Sequence, residues 1–84
     1  MTTTRKNQQI IVLDRGWVYV GHTRRDGDVL HITDARCIRR WGTTRGLGQL
    51  AAEGPTSDTV LDPVGTAIAP WHAVITLIEC AKPW

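Results

Sequence analysis

The sequence predicts a mainly β domain: a small, strongly bent antiparallel barrel that carries one short inserted helix. Three observations predict it. Short apolar, β-branched runs follow one another, separated by tight-turn signals at Asp14-Arg15-Gly16 and Asp26-Gly27. A glycine, Gly21, interrupts an otherwise continuous strand pattern, as at the bulges and sharp bends that small barrels need. Residues 39–55 alone show helical rather than strand spacing. An open α+β sandwich is the alternative architecture. With 84 residues the chain is one domain with a small core. We expect a disordered tail over residues 1–8, a domain over 9–80 with its helical insertion at about 43–53, and a loose C-terminus at 81–84.

Met1 to Asn7 holds three threonines and two bases and has nothing to bury. Ile10-Ile11-Val12-Leu13 is the first strand, closed by Asp14-Arg15-Gly16. Trp17-Val18-Tyr19-Val20 is the second, with Val18 and Val20 on one face and Trp17 and Tyr19 on the other. Residues 29–33 alternate again and extend through Asp34-Ala35-Arg36-Cys37-Ile38 into an arginine-rich stretch. After the helix, strands are expected at 59–62, 66–69 and 73–80, separated by Pro63 and by Pro70-Trp71.

The formal charge of +2 conceals an asymmetry. Residues 1–49 hold nine bases and four acids, whereas 50–84 hold one base and four acids. Arginine outnumbers lysine eight to two, which favours planar, bidentate recognition over diffuse attraction. A localised cluster of this kind suits an anion-binding face better than a uniformly basic nucleic-acid coat. Cys37 and Cys80 have no metal-type spacing and lie in apolar runs, so both are read as buried, reduced thiols. The longest apolar run, residues 73–78, is far too short to cross a membrane, and a cytoplasmic protein is expected.

Residues 39–55, Arg39-Arg40-Trp41-Gly42-Thr43-Thr44-Arg45-Gly46-Leu47-Gly48-Gln49-Leu50-Ala51-Ala52-Glu53-Gly54-Pro55, are the stretch that the rest of the chain presents. Thr43 or Thr44 is the expected N-cap. Leu47, Leu50 and Ala51 share one helical face, and Gly54-Pro55 ends the helix. Arginines beside exposed N–H groups at a helix start favour a phosphate or carboxylate. Trp41 beside them is suited to stacking on a base. The plainer alternative has threonines capping, glycines turning, arginines in water and Trp41 packed beneath the helix.

Two resemblances follow from quoted residues. Leu13-x-x-Gly16, Val18-x-Val20-Gly21, Asp26 and Leu30-x-Ile32-x-Asp34-Ala35 resemble the first Sm motif. Gly65 through Val74 is similar to the second, and Trp71-His72-Ala73-Val74-Ile75-Thr76 to a segment of the bacterial Sm-like RNA chaperone. The asparagine with which Sm proteins bind RNA is not found near Leu30, Pro70-Trp71 stands in place of Arg-Gly, and residues 41–57 are an insertion. The resemblance implies an Sm-like, SH3-like barrel that forms rings. Ile38-Arg39-Arg40-Trp41-Gly42-Thr43-Thr44-x-Gly46-Leu47-Gly48-x-Leu50-Ala51-x-x-Gly54-Pro55-Thr56, followed by Val60-Leu61-Asp62, resembles a family of small uncharacterised bacteriophage and prophage proteins. It implies a phage setting in the host cytoplasm and no particular chemistry.

No nucleophile, metal set or general base stands out among His22, His31, His72, the two cysteines or the acidic pairs. Gly42-x-x-x-Gly46-x-Gly48 lacks the Gly-Lys-Ser/Thr of a phosphate-binding loop. The expected function is non-catalytic: sequestration of a phosphorylated small ligand, a nucleotide-derived immune signal being the leading candidate, by a homo-oligomer that needs no cofactor or metal. The expected ligand residues are Arg39, Arg40, Trp41, Gly42, Thr43, Thr44, Arg45, Gly46, Gly48 and His72. An Sm-like RNA-binding ring and an inhibitor docking on a host protein are the alternatives.

Overall fold

The computed structural model describes residues 8–84. The expected tail at residues 1–8 lies, but for Gln8, outside the described residues. Five antiparallel strands form one sheet: β1 (Gln9–Leu13), β2 (Val18–Asp26), β3 (Val29–Arg40), β4 (Val60–Pro70) and β5 (Val74–Glu79). Their order is β4-β3-β2-β1-β5. A helix, α1 (Leu47–Glu53), is inserted between β3 and β4.

β4 and β5 are the two outer strands, yet only the short 3-10 turn Trp71–Ala73 joins them. In a flat five-stranded sheet the outer strands would lie about 19 Å apart. A three-residue 3-10 turn rises only about 6 Å. The sheet must therefore curl until its two edges meet at that corner. The described residues form a mainly β fold whose single sheet is bent but not closed by a β4–β5 ladder.

The bend has local causes. The β2–β3 register slips between Val20 and His22, around Gly21. A Cβ there would meet Ile32 Cγ2 at 2.7 Å and the Thr33 carbonyl at 2.9 Å, so only glycine lets β3 approach so closely. The β3–β4 ladder slips three times, twice around Ala35. β4 differs from expectation by running unbroken through Pro63. It is an edge strand, and a proline is tolerated where its missing N–H would face outward.

Alternation along the buried strand β1 divides the core between the two faces of the sheet. Ile10 and Val12 join Val18, Val20 and Ile38, and α1 covers this layer with Leu50 and Ala51. Ile11 and Leu13 join Leu30, Ile32, Ala35 and Ala69 on the opposite, inward-curling face. Both Ile10 and Ile11 are fully buried. A seven-residue helix has little stability alone, so Leu50 and Ala51 hold α1 in place by burial. The C-terminal residues 81–84, expected to be loose, make these contacts with the domain. Ala81 N–H donates to the Ala51 carbonyl, Trp84 N–H donates to Gln8 Oε1, and the Trp84 side chain packs on the helix-covered layer. Both cysteines are free thiols, Cys80 buried and Cys37 half-buried.

Candidate functional site

The chain leaves β3 at Arg40, crosses to α1 and returns through residues 54–59. Threonines fasten the outgoing loop to the returning one. Thr59 Oγ1 donates to the Trp41 carbonyl and Thr56 Oγ1 to the Gly42 carbonyl, each at 2.7 Å. Thr56 N–H in turn donates to Thr59 Oγ1 at 2.8 Å. Trp41 is 42% exposed, so its ring is not buried beneath the helix.

The start of α1 corrects the expected cap. Gly46, at φ 80°, is the N-cap residue and supplies no side chain, and the helix begins at Leu47 rather than near residue 43. Thr43 Oγ1 does not cap the helix; it closes a small ring by accepting from Gly46 N–H at 3.0 Å and donating to the Gly46 carbonyl at 3.2 Å. Gln49 Oε1 accepts from the N–H groups of Thr44 and Arg45, at 3.2 and 3.0 Å. The N–H groups of Thr44, Arg45 and Gly46 are thus satisfied within the loop. Gly48 lies inside α1.

The arginines divide into two groups. Arg39 pairs with Asp62 at 3.0 Å and Arg45 with Glu53, all four side chains largely exposed. Arg36 and Arg40, both on β3, have no acidic partner among the described residues. The seven residues outside that set contain no acid at all. His72 is not brought to the motif. It follows Pro70, which pairs with Val29 at the start of β3, whereas the motif departs from Arg40 at the other end. At that far corner Trp71 N–H donates to the Asp28 carbonyl at 2.7 Å, and the Arg25 guanidinium lies 4.0 Å over the Trp71 ring.

A cleft that the sequence did not reveal opens beside the paired bulges of β3 and β4. Its volume is about 340 Å³, and Gln8, Asp34, Arg36, Pro63, Gly65 and Trp84 line it. Asp34 adopts a left-handed backbone (φ 50°) and Gly65 likewise (φ 88°), at the place where the β3–β4 register shifts. Asp34 and Arg36 share the cleft without forming an ion pair. The available sequence signal was the run Asp34 to Arg36 opposite Pro63 to Gly65, with a turn-prone residue on each strand.

Among the described residues no three His, Cys, Asp or Glu side chains are grouped to hold a metal ion, and no helix is long and apolar enough to cross a membrane. No protein-family model matches the chain, and no curated protein matches it.

Proposed function

We propose that the chain is a non-catalytic binding protein for a phosphorylated small ligand, a nucleotide-derived signal being the chemistry it fits best. One observation carries this reading: Arg36 and Arg40 keep uncompensated guanidiniums on one strand, while their neighbours Arg39 and Arg45 are neutralised by acids. Trp84 lines the same cleft as Arg36, and Trp41 follows Arg40 directly. A guanidinium for phosphate and a ring for a base is the minimal recognition set for a nucleotide. Arg39 and Arg45 contribute less than the motif suggested, because an incoming phosphate would first have to displace a carboxylate. If the chain is of phage origin, holding such a signal would keep it from the host.

The strand order, with outer strands joined by a 3-10 turn, also supports an Sm-like or SH3-like barrel as the reading of the curled sheet. The outer edges of β4 and β5 remain free among the described residues, and Val64, Ile68 and Ile75 on them are exposed, which supports a homo-oligomer. The same architecture favours RNA as the second reading. Isothermal titration with mono-, di- and cyclic nucleotides and with a single-stranded oligonucleotide, at two salt concentrations, separates the two. The nucleotide reading expects saturable binding of a small nucleotide with shallow salt dependence. Binding of the oligonucleotide alone, with a log–log salt slope near −0.7 per phosphate contacted, would transfer the function to RNA.

A further inference from the structure

We infer that the seat of the ligand is the cleft at the paired bulges rather than the arginine-rich loop, and that it takes a nucleotide with one phosphate group and an amino-bearing base. This rests on the nucleotide-binding reading above. The cleft's volume of about 340 Å³ sits at the lower end of the range of small-molecule sites, ~300–1,000 Å³. The arginine-rich loop, by contrast, satisfies the amides of Thr44, Arg45 and Gly46 internally and neutralises two of its guanidiniums.

The polar groups in the cleft select the ligand. Arg36, without an acidic partner, offers two parallel N–H donors to a phosphate. Asp34 lines the same cleft and lies too far from Arg36 for an ion pair, so its carboxylate remains an acceptor. A carboxylate there repels a second phosphate and accepts from an exocyclic amino group or ring N–H. The Trp84 ring supplies an apolar surface on which a base stacks. Gln8 already accepts from Trp84 N–H through Oε1, which fixes its side chain and leaves its amide N–H₂ for the ligand. One anion, one donor edge and one flat ring describe a nucleoside monophosphate or cyclic mononucleotide.

The test is titration of the full chain with adenosine and guanosine monophosphates, their cyclic forms, adenosine triphosphate and inorganic phosphate. It is repeated with Arg36→Ala, Asp34→Asn and Arg40→Ala. Asparagine keeps the shape of aspartate and tolerates the left-handed backbone at position 34, so that variant should keep its fold. Unchanged urea midpoints check all three variants. The expected result is monophosphate binding that falls about tenfold to a hundredfold in Arg36→Ala, the span of a lost charge-assisted contact, and falls by a smaller factor in Arg40→Ala. Asp34→Asn should narrow the preference of monophosphate over triphosphate, since it removes the repulsion of the second phosphate. Nucleotide binding abolished by Arg40→Ala and unaffected by Arg36→Ala would overturn the cleft assignment and leave the functional reading intact. No binding of any nucleotide by the unaltered chain would overturn both.

Discussion

Gly42 lies so close to the backbone of Asp58 that a Cβ at residue 42 would stand 2.4 Å from the Asp58 carbonyl carbon and 2.6 Å from its oxygen. No real carbon approaches backbone so closely, and Gly42 also has a left-handed φ of 66°. The motif glycine is therefore explained by the crossing of two loops. Gly42→Ala should separate them and cost about 2–4 kcal/mol, combining backbone strain with a clash that no side-chain movement relieves. Urea denaturation should show a lower midpoint at unchanged m-value. An unchanged midpoint would mean that the two loops are not in contact.

The same crossing depends on a hydroxyl. Thr59 Oγ1 donates to the Trp41 carbonyl and accepts from Thr56 N–H. Thr59→Val keeps the shape and removes both bonds, so a loss of about 1–2 kcal/mol is expected. Arg39→Ala and Arg45→Ala, which break exposed ion pairs, should each cost less than about 1 kcal/mol. Parallel urea titrations give the ranking. Arginine variants more damaging than Thr59→Val would make the ion pairs, not the threonines, the fasteners of the loop.

Two groups, the buried thiol of Cys80 and the half-buried phenol of Tyr19, make the fold sensitive to alkali. The Cys80 thiol is pushed up to about 11 from its ordinary 9.0, first by burial and then by the charge of Glu79. The Trp84 indole N–H has no hydrogen-bond partner of ordinary geometry, yet it lies near enough to the sulfur to offset part of that rise. Tyr19 is raised from 10.0, by burial and by neighbouring Cys37. Each group holds its proton more tightly folded than unfolded. Its stabilising contribution is full below the unfolded value and disappears as pH rises through the folded one. Denaturation midpoints should hold up to about pH 9 and decline between about pH 9 and 11. Cys80→Ala, less stable at pH 8, should lose less over that interval. An equal decline in both proteins would remove Cys80 as a cause.

The fold was legible where its causes are local. The Asp14–Gly16 and Asp26-Gly27 turns, the Gly21 bulge and the opposite faces of Trp17 and Val18 all follow from neighbouring residues. The sequence predicts a break in β4 at Pro63 that the fold does not have, because proline's acceptability depends on edge position, a property of the finished sheet. The spacing of Thr43 permits a cap, but its hydroxyl closes a ring with Gly46, and Gln49, further along, takes the amides of Thr44 and Arg45. The candidate site was legible only in composition. Whether an arginine is free depends on acids remote in sequence: Asp62 reaches Arg39 across the sheet, and Glu53 reaches Arg45 along the helix. The cleft joins Gln8, Asp34, Pro63 and Trp84, which no linear spacing brings together.

Native mass spectrometry of the full chain incubated with candidate nucleotides tests the central claim most directly. The account predicts an assembly of two or more chains carrying an added mass equal to that of an intact nucleotide. On heat denaturation the same nucleotide should return to the supernatant chemically unchanged, because the chain holds the ligand without converting it. A bare chain at millimolar nucleotide, or the appearance of product masses in place of the ligand, would contradict it.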